Sequence, residues 1–140
     1  MDRELYALSS DRSAAFALRF LDTFTPGGSA AAVDYPVPEH ANLSTHTFTQ
    51  VEELLAHLEA NTSEPYGVYW RAHRDAADVR MAMLFYTDDG FVILGLAVDE
   101  SCEAAQMARL KAFADAEFTA AWDEQAPPRS AVEFRAMCAA

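Results

Sequence analysis

Four histidines, two cysteines and 22 acidic side chains carry what chemistry this sequence has, and their spacing decides what they can do. His40, His46, His57 and His73 form neither an HxH nor an HxxxH pair. No helical turn or strand therefore presents two imidazoles to one metal ion. His57 follows Glu53 by one helical turn, which sets a carboxylate beside an imidazole. Two groups do not close a coordination shell, so the pair reads as a surface ion pair. Cys102 and Cys138 lack CxxC spacing and read as reduced thiols. Cys102 stands at a predicted helix N-terminus, where the dipole favours a thiolate. No base accompanies it, and a small apolar packing role suffices.

Other constellations fail in the same way. Ser9, Ser10 and Ser29 lie in no GxSxG elbow. Gly27-Gly28 is not a phosphate loop, because the loop lysine is missing and the one lysine is Lys111. Asp88 and Asp89 precede Gly90, where aspartates support a tight turn without catalysis. Asp99, Glu100 and Glu103 gather at the start of a helix, where the dipole accounts for them. EF-hand spacing is absent. The residues predict no catalytic group, no metal and no cofactor.

Charge narrows the partners. The net charge is −12, the wrong sign for replacing counterions on nucleic-acid phosphates or for an anionic membrane. It permits a basic protein partner, because complementary fields steer association. The N-terminus has no basic region leading into an apolar one, and the longest apolar run, Phe91 to Val98, is far below the roughly 20 residues of a membrane span. A cytoplasmic location is the expectation. At 140 residues and 51% hydrophobic composition, residues 1–140 are expected to form a single domain with its own core.

The elements that position these residues follow from periodicity. Leu5 to Leu8 reads as a strand, and Ser9-Ser10-Asp11 as caps for a helix over Ser13 to Phe24, whose Phe16, Phe20 and Phe24 share a face. Residues 29–44, with Pro36 and Pro38, read as an extended loop with a strand touching Val33 to Tyr35. Thr49 to Glu52 is a capping box opening a second helix, with Val51, Leu54, Leu55 and Leu58 as its stripe and Asn61 as a left-handed stop. Tyr66 to Arg71, Val79 to Tyr86 and Phe91 to Val98 read as strands, the last two joined by a Thr-Asp-Asp-Gly hairpin. Tyr66, Val68 and Trp70 fall on one face and Tyr69 on the other; Met81, Met83 and Phe85 share a face. Phe91 to Val98 is apolar on both faces and should be central, with Gly95 marking a bulge or a close approach. A long helix is predicted from Ser101 to about Trp122, and Ser130 to Glu133 opens a short last one. The predicted class is α+β: a mainly antiparallel sheet of about four strands with helices packed on one face.

The stretch Glu64-Pro65-Tyr66-Gly67-Val68-Tyr69-Trp70, with Met81 to Gly90 and Phe91 to Leu96, resembles small bacterial immunity proteins encoded beside polymorphic or contact-dependent toxins. The resemblance covers about residues 45–100: a helix, a Tyr-Trp strand and a hairpin with a Thr-Asp-Asp-Gly turn. It implies non-catalytic inhibition of a cognate toxin domain by direct binding in the cytoplasm. Asp75, Asp78, Asp88 and Asp89, in the two connections beside the aromatic strand, are then the expected rim contacts, with Tyr69 or Trp70 as the aromatic anchor. The alternative expectation is a small-molecule-binding or sensor domain with a pocket between sheet and helices.

Overall fold

The computed structural model describes residues 2–40, 43–76, 78–123 and 126–138. In chain order these form β1 (Asp2–Ser9), α1 (Ala14–Phe24), β2 (Ser29–Ala30), β3 (Tyr35–Val37), β4 (His46–Phe48), α2 (Val51–Ala60), β5 (Tyr66–Arg71), β6 (Val79–Tyr86), β7 (Val92–Asp99), a 3-10 turn, α3 (Glu103–Ala114), β8 (Thr119–Trp122) and α4 (Ala131–Cys138). The main sheet has six strands in the order β2-β5-β6-β7-β1-β8, and every pairing in it is antiparallel. The α+β class holds, but the sheet is larger than the four strands expected, because β2 and β8 are too short to show a strand period in the sequence. A separate ribbon pairs β3 with β4. Among the described residues no helix is long and apolar enough to cross a membrane.

The first face of the sheet carries the main core. Leu5, Ala7, Val68, Ala82, Leu84, Leu94 and Leu96 pack there beneath Phe16, Phe20 and Phe24 of α1, Leu54, Leu55 and Leu58 of α2, and Leu110 of α3. Each such large apolar side chain contributes about 1.5–3 kcal/mol by leaving water. The four-residue spacing in α1 puts all three phenylalanines against Phe113 of α3, with ring centroids 5.4, 5.9 and 5.5 Å from it. Ser13 caps α1 by accepting from Phe16 N. β7 lies inside the sheet between β6 and β1, as its apolar faces require.

The helices do not all lie on one face. Ala131 and Phe134 of α4 pack on the second face, over Tyr6, Leu8 and Ile93. Three local expectations also change. The predicted long third helix ends at Asp115, which takes a left-handed backbone (φ 49), and the chain returns as β8 beside β1. α2 starts from Gln50 with no side-chain cap, so the Thr49–Glu52 box does not form. Asn61 is not left-handed (φ −117); its side chain donates to His57 O at 2.8 Å.

Gly95 allows a close approach. A Cβ there would lie 2.9 Å from Tyr6 Cε1 and 3.2 Å from Met83 Cε, so the Tyr6 ring rests directly on the β7 backbone. Gly95→Val is expected to destabilise the fold by about 1–3 kcal/mol through overpacking. A thermal melt at the wild-type midpoint would remove this contact from the account.

Candidate functional site

Among the described residues, the second face of the sheet is only partly covered. Strand alternation brings Gly67, Tyr69 and Arg71 of β5 opposite Phe85, Met83 and Met81 of β6, and these opposite Ile93, Gly95 and Ala97 of β7. Glu4 and Tyr6 of β1 continue the rows at Ala97 and Gly95. α4 closes the rows nearest the β6–β7 hairpin. At the opposite corner a hollow of about 330 Å³ remains, lined by Glu4, Tyr69, Met81, Met83, Phe85, Ala97 and, from the chain after β8, Ala126. Tyr69 is 41% exposed and meets Phe85 edge-to-face, with centroids 5.6 Å apart at 87°. Half-buried Met81 beside an exposed tyrosine makes an adaptable apolar surface, with Met83 buried beneath it. The Tyr6 hydroxyl donates to Glu4, which fixes that carboxylate on the same face.

A second hollow adjoins this one at the β5 edge. β2 pairs only with Trp70 and Arg71, and Ala31 N donates to Tyr69 O. The Gly67 N–H further along the same edge would be unsatisfied in a dry edge, and it donates to Glu39 Oε1 at 2.9 Å. The segment leading to Glu39 is tied down where the Tyr66 hydroxyl donates to Pro36 O at 3.0 Å. Val37-Pro38 is cis, and His40 has a left-handed φ of 63, a conformation uncommon outside glycine. The Glu39 side chain is 25% exposed. Burial pushes its carboxyl above the ordinary carboxylate range, against the opposing effects of the Gly67 N–H, His40 and Arg129. Burial likewise raises the Tyr69 phenol, helped by the charges of Glu39 and Glu4. The hollow beside Glu39 measures about 290 Å³ and is walled by Tyr66, Tyr69, Phe85, Pro127, Pro128 and Arg129, with Glu64 at its edge.

The residues singled out in the sequence do not form one cluster. Tyr69 lies on the open face. Trp70 points the other way and packs against the main core, beside a hollow of about 180 Å³ between α1, α2 and β5. That is smaller than the roughly 300–1,000 Å³ of ligand sites. Asp75 and Asp78 are exposed in the β5–β6 connection, where Cys102 Sγ reaches Asp78 Oδ1 at 3.8 Å. Asp88 and Asp89 lie at the other end of β6, which eight residues make about 23 Å long. Asp88 is exposed. Asp89 caps α4, accepting from Ala131 N at 2.9 Å and Val132 N at 3.3 Å. Burial pushes its carboxyl up, but those bonds and the Thr87 side chain outweigh this and hold it below the ordinary value. His57 does not pair with Glu53; its Nε2 lies 3.8 Å from Glu64 Oε1.

Sequence reasoning missed Glu39, Glu4 and the partial cover by α4. The strand alternation that aligns Met81, Met83 and Phe85 is visible in the sequence. Glu39 lies in a proline-bearing stretch with no period, and its partner is 28 residues away. What meets on this face is apolar surface, aromatic rings and carboxylate acceptors. Among the described residues no group of three His, Cys, Asp or Glu side chains converges to hold a metal ion. No family model, no curated protein and no solved structure matches the chain.

Proposed function

We propose that this chain is a non-catalytic binding protein that engages a basic protein domain through the second face of its sheet. By the resemblance of residues 45–100 to immunity proteins, that domain is a cognate toxin which the chain inhibits by direct contact. The observation that carries the reading is the exposed Tyr69 beside Met81 and Phe85, on a sheet face that α4 leaves open. Exposed aromatics on rigid strands are the usual anchors of protein interfaces. The carboxylates Glu4 and Glu39 beside it, in a chain of net charge −12, suit a partner of opposite sign.

The test is affinity capture with the tagged chain at low and at high salt, followed by assay of what is captured. The expected result is one stoichiometric basic partner, weakened at high salt because exposed charges are screened, whose activity falls when an equimolar amount of the chain is added. No partner at either salt, or a partner whose activity is unchanged, would overturn the reading.

A further inference from the structure

We infer that the hollow beside Glu39 is a socket for one arginine side chain presented by the partner; this deepens the binding reading above and rests on it. The first support is the carboxylate. Glu39 is fixed by the Gly67 N–H through Oε1, and its second oxygen lies 3.6 Å from the space directly over Gly67. Each carboxylate oxygen has further acceptor capacity, so the group is positioned before any ligand arrives. The second support is the wall. Tyr69 and Phe85, in edge-to-face contact with each other, both line the hollow, and aromatic side chains are the groups a guanidinium packs against. The third is size: about 290 Å³ suits a single long side chain better than a drug-sized ligand.

Charge also agrees. The socket carries two carboxylates, Glu39 and Glu64, against two basic groups of its own, Arg129 and His40, and His40 Nε2 lies 3.8 Å from Glu39 Oε2. Arg129 is close enough for its charge to act on Glu39. Its backbone carbonyl is engaged by Asp88 N at 2.8 Å, a bond that does not involve its side chain. An incoming arginine therefore competes with Arg129, and with His40 when that ring is protonated, for Glu39, while the Asp88 bond holds the turn through the backbone.

The test uses the isolated chain and a small probe, so it does not depend on capturing a partner. Isotope-labelled protein is titrated with N-acetyl-arginine methylamide, and separately with the neutral citrulline analogue, while the Gly67 amide resonance is followed. The arginine probe is expected to shift Gly67 saturably at millimolar concentration, and the citrulline probe to bind at least about threefold more weakly, as loss of the ionic partner requires. Glu39→Gln, which keeps an acceptor for Gly67, is expected to abolish that preference. Arg129→Ala is expected to tighten arginine binding at least about twofold by removing the competing cation. Equal response to both probes, shifts spread over the acidic surface without Gly67, or weaker binding by Arg129→Ala would overturn the socket while leaving any captured partner in place.

Discussion

Arg12→Ala is expected to lower the stability of this protein by about 3–5 kcal/mol, the largest effect expected of any polar substitution in the chain. Arg12 is 6% exposed, and all five of its N–H donors are used. Nε donates to Leu58 O at 2.8 Å, Nη1 to Thr87 O and Phe91 O at 2.8 and 2.9 Å, and Nη2 to Asn61 O and Glu64 O at 3.0 and 2.7 Å. No carboxylate takes part in these bonds. The charge is held by carbonyl dipoles, two of them at the C-terminal end of α2, where the helix dipole favours a cation. The guanidinium also lies 4.9 Å from the centre of the Tyr86 ring. Removing the side chain leaves a cavity and strips a donor from each of five carbonyls, and an unmade buried bond is worth about 1–3 kcal/mol before relaxation and water entry. In urea the midpoint should fall by about 2 M, given a slope of roughly 1–3 kcal/mol per molar. Arg12→Lys should fall between the two, since an ammonium has three donors and no fork. If the Arg12→Lys variant unfolds at the wild-type midpoint, charge alone suffices and the fork argument fails.

The same residue links the core to the open face. Thr87 and Phe91 bound the β6–β7 turn, and Asp89 within that turn caps α4. A guanidinium at the start of α1 thus fixes the end of α2, the turn, and through the turn the helix that decides how much of the second face stays exposed. Arg12→Ala should therefore loosen α4 as well as weaken the global fold. Hydrogen exchange at Ala131 and Val132, the amides that Asp89 receives, would report it.

What is legible in the sequence is what periodicity and local chemistry control. The phenylalanine face of α1, the leucine stripe of α2, the β6–β7 hairpin with Gly90 at positive φ (92) and the central place of β7 all follow from spacing and turn residues. What is not legible depends on distant partners. Nothing around Arg12 announces acceptors that lie 46 to 79 residues away. The segment that forms β8 reads as helix because Phe118 and Ala121 continue the helical stripe of Met107, Leu110 and Ala114; the unpaired side of β1 overrides that pattern beyond Asp115. The last helix crosses to the second face because Asp89 draws its N-terminus to the hairpin, and no helical period encodes that. On the binding side, alternation separates Tyr69 from Trp70 correctly, whereas the acidic pairs expected to form one rim lie at opposite ends of β6. Glu39 escapes notice because its role comes from the β5 edge it closes.

With a partner in hand, Tyr69→Ala should weaken the complex by at least about 2 kcal/mol, roughly thirtyfold in Kd, as expected for an aromatic anchor at the centre of an interface. The chain's stability should change little, because Tyr69 is 41% exposed and its main contact is one edge-to-face ring. Trp70→Ala gives the opposite pattern: Trp70 packs on the helix-covered core, so its loss should lower the melting midpoint and leave affinity nearly intact. Asp88→Lys should act mainly on the association rate and its salt dependence, since an exposed charge steers encounter more than it holds the complex. The three variants together locate the interface. If Tyr69→Ala keeps the wild-type Kd while changes at Asp75 or Asp78 raise it, the partner sits on the β5–β6 connection and the open face is not the contact.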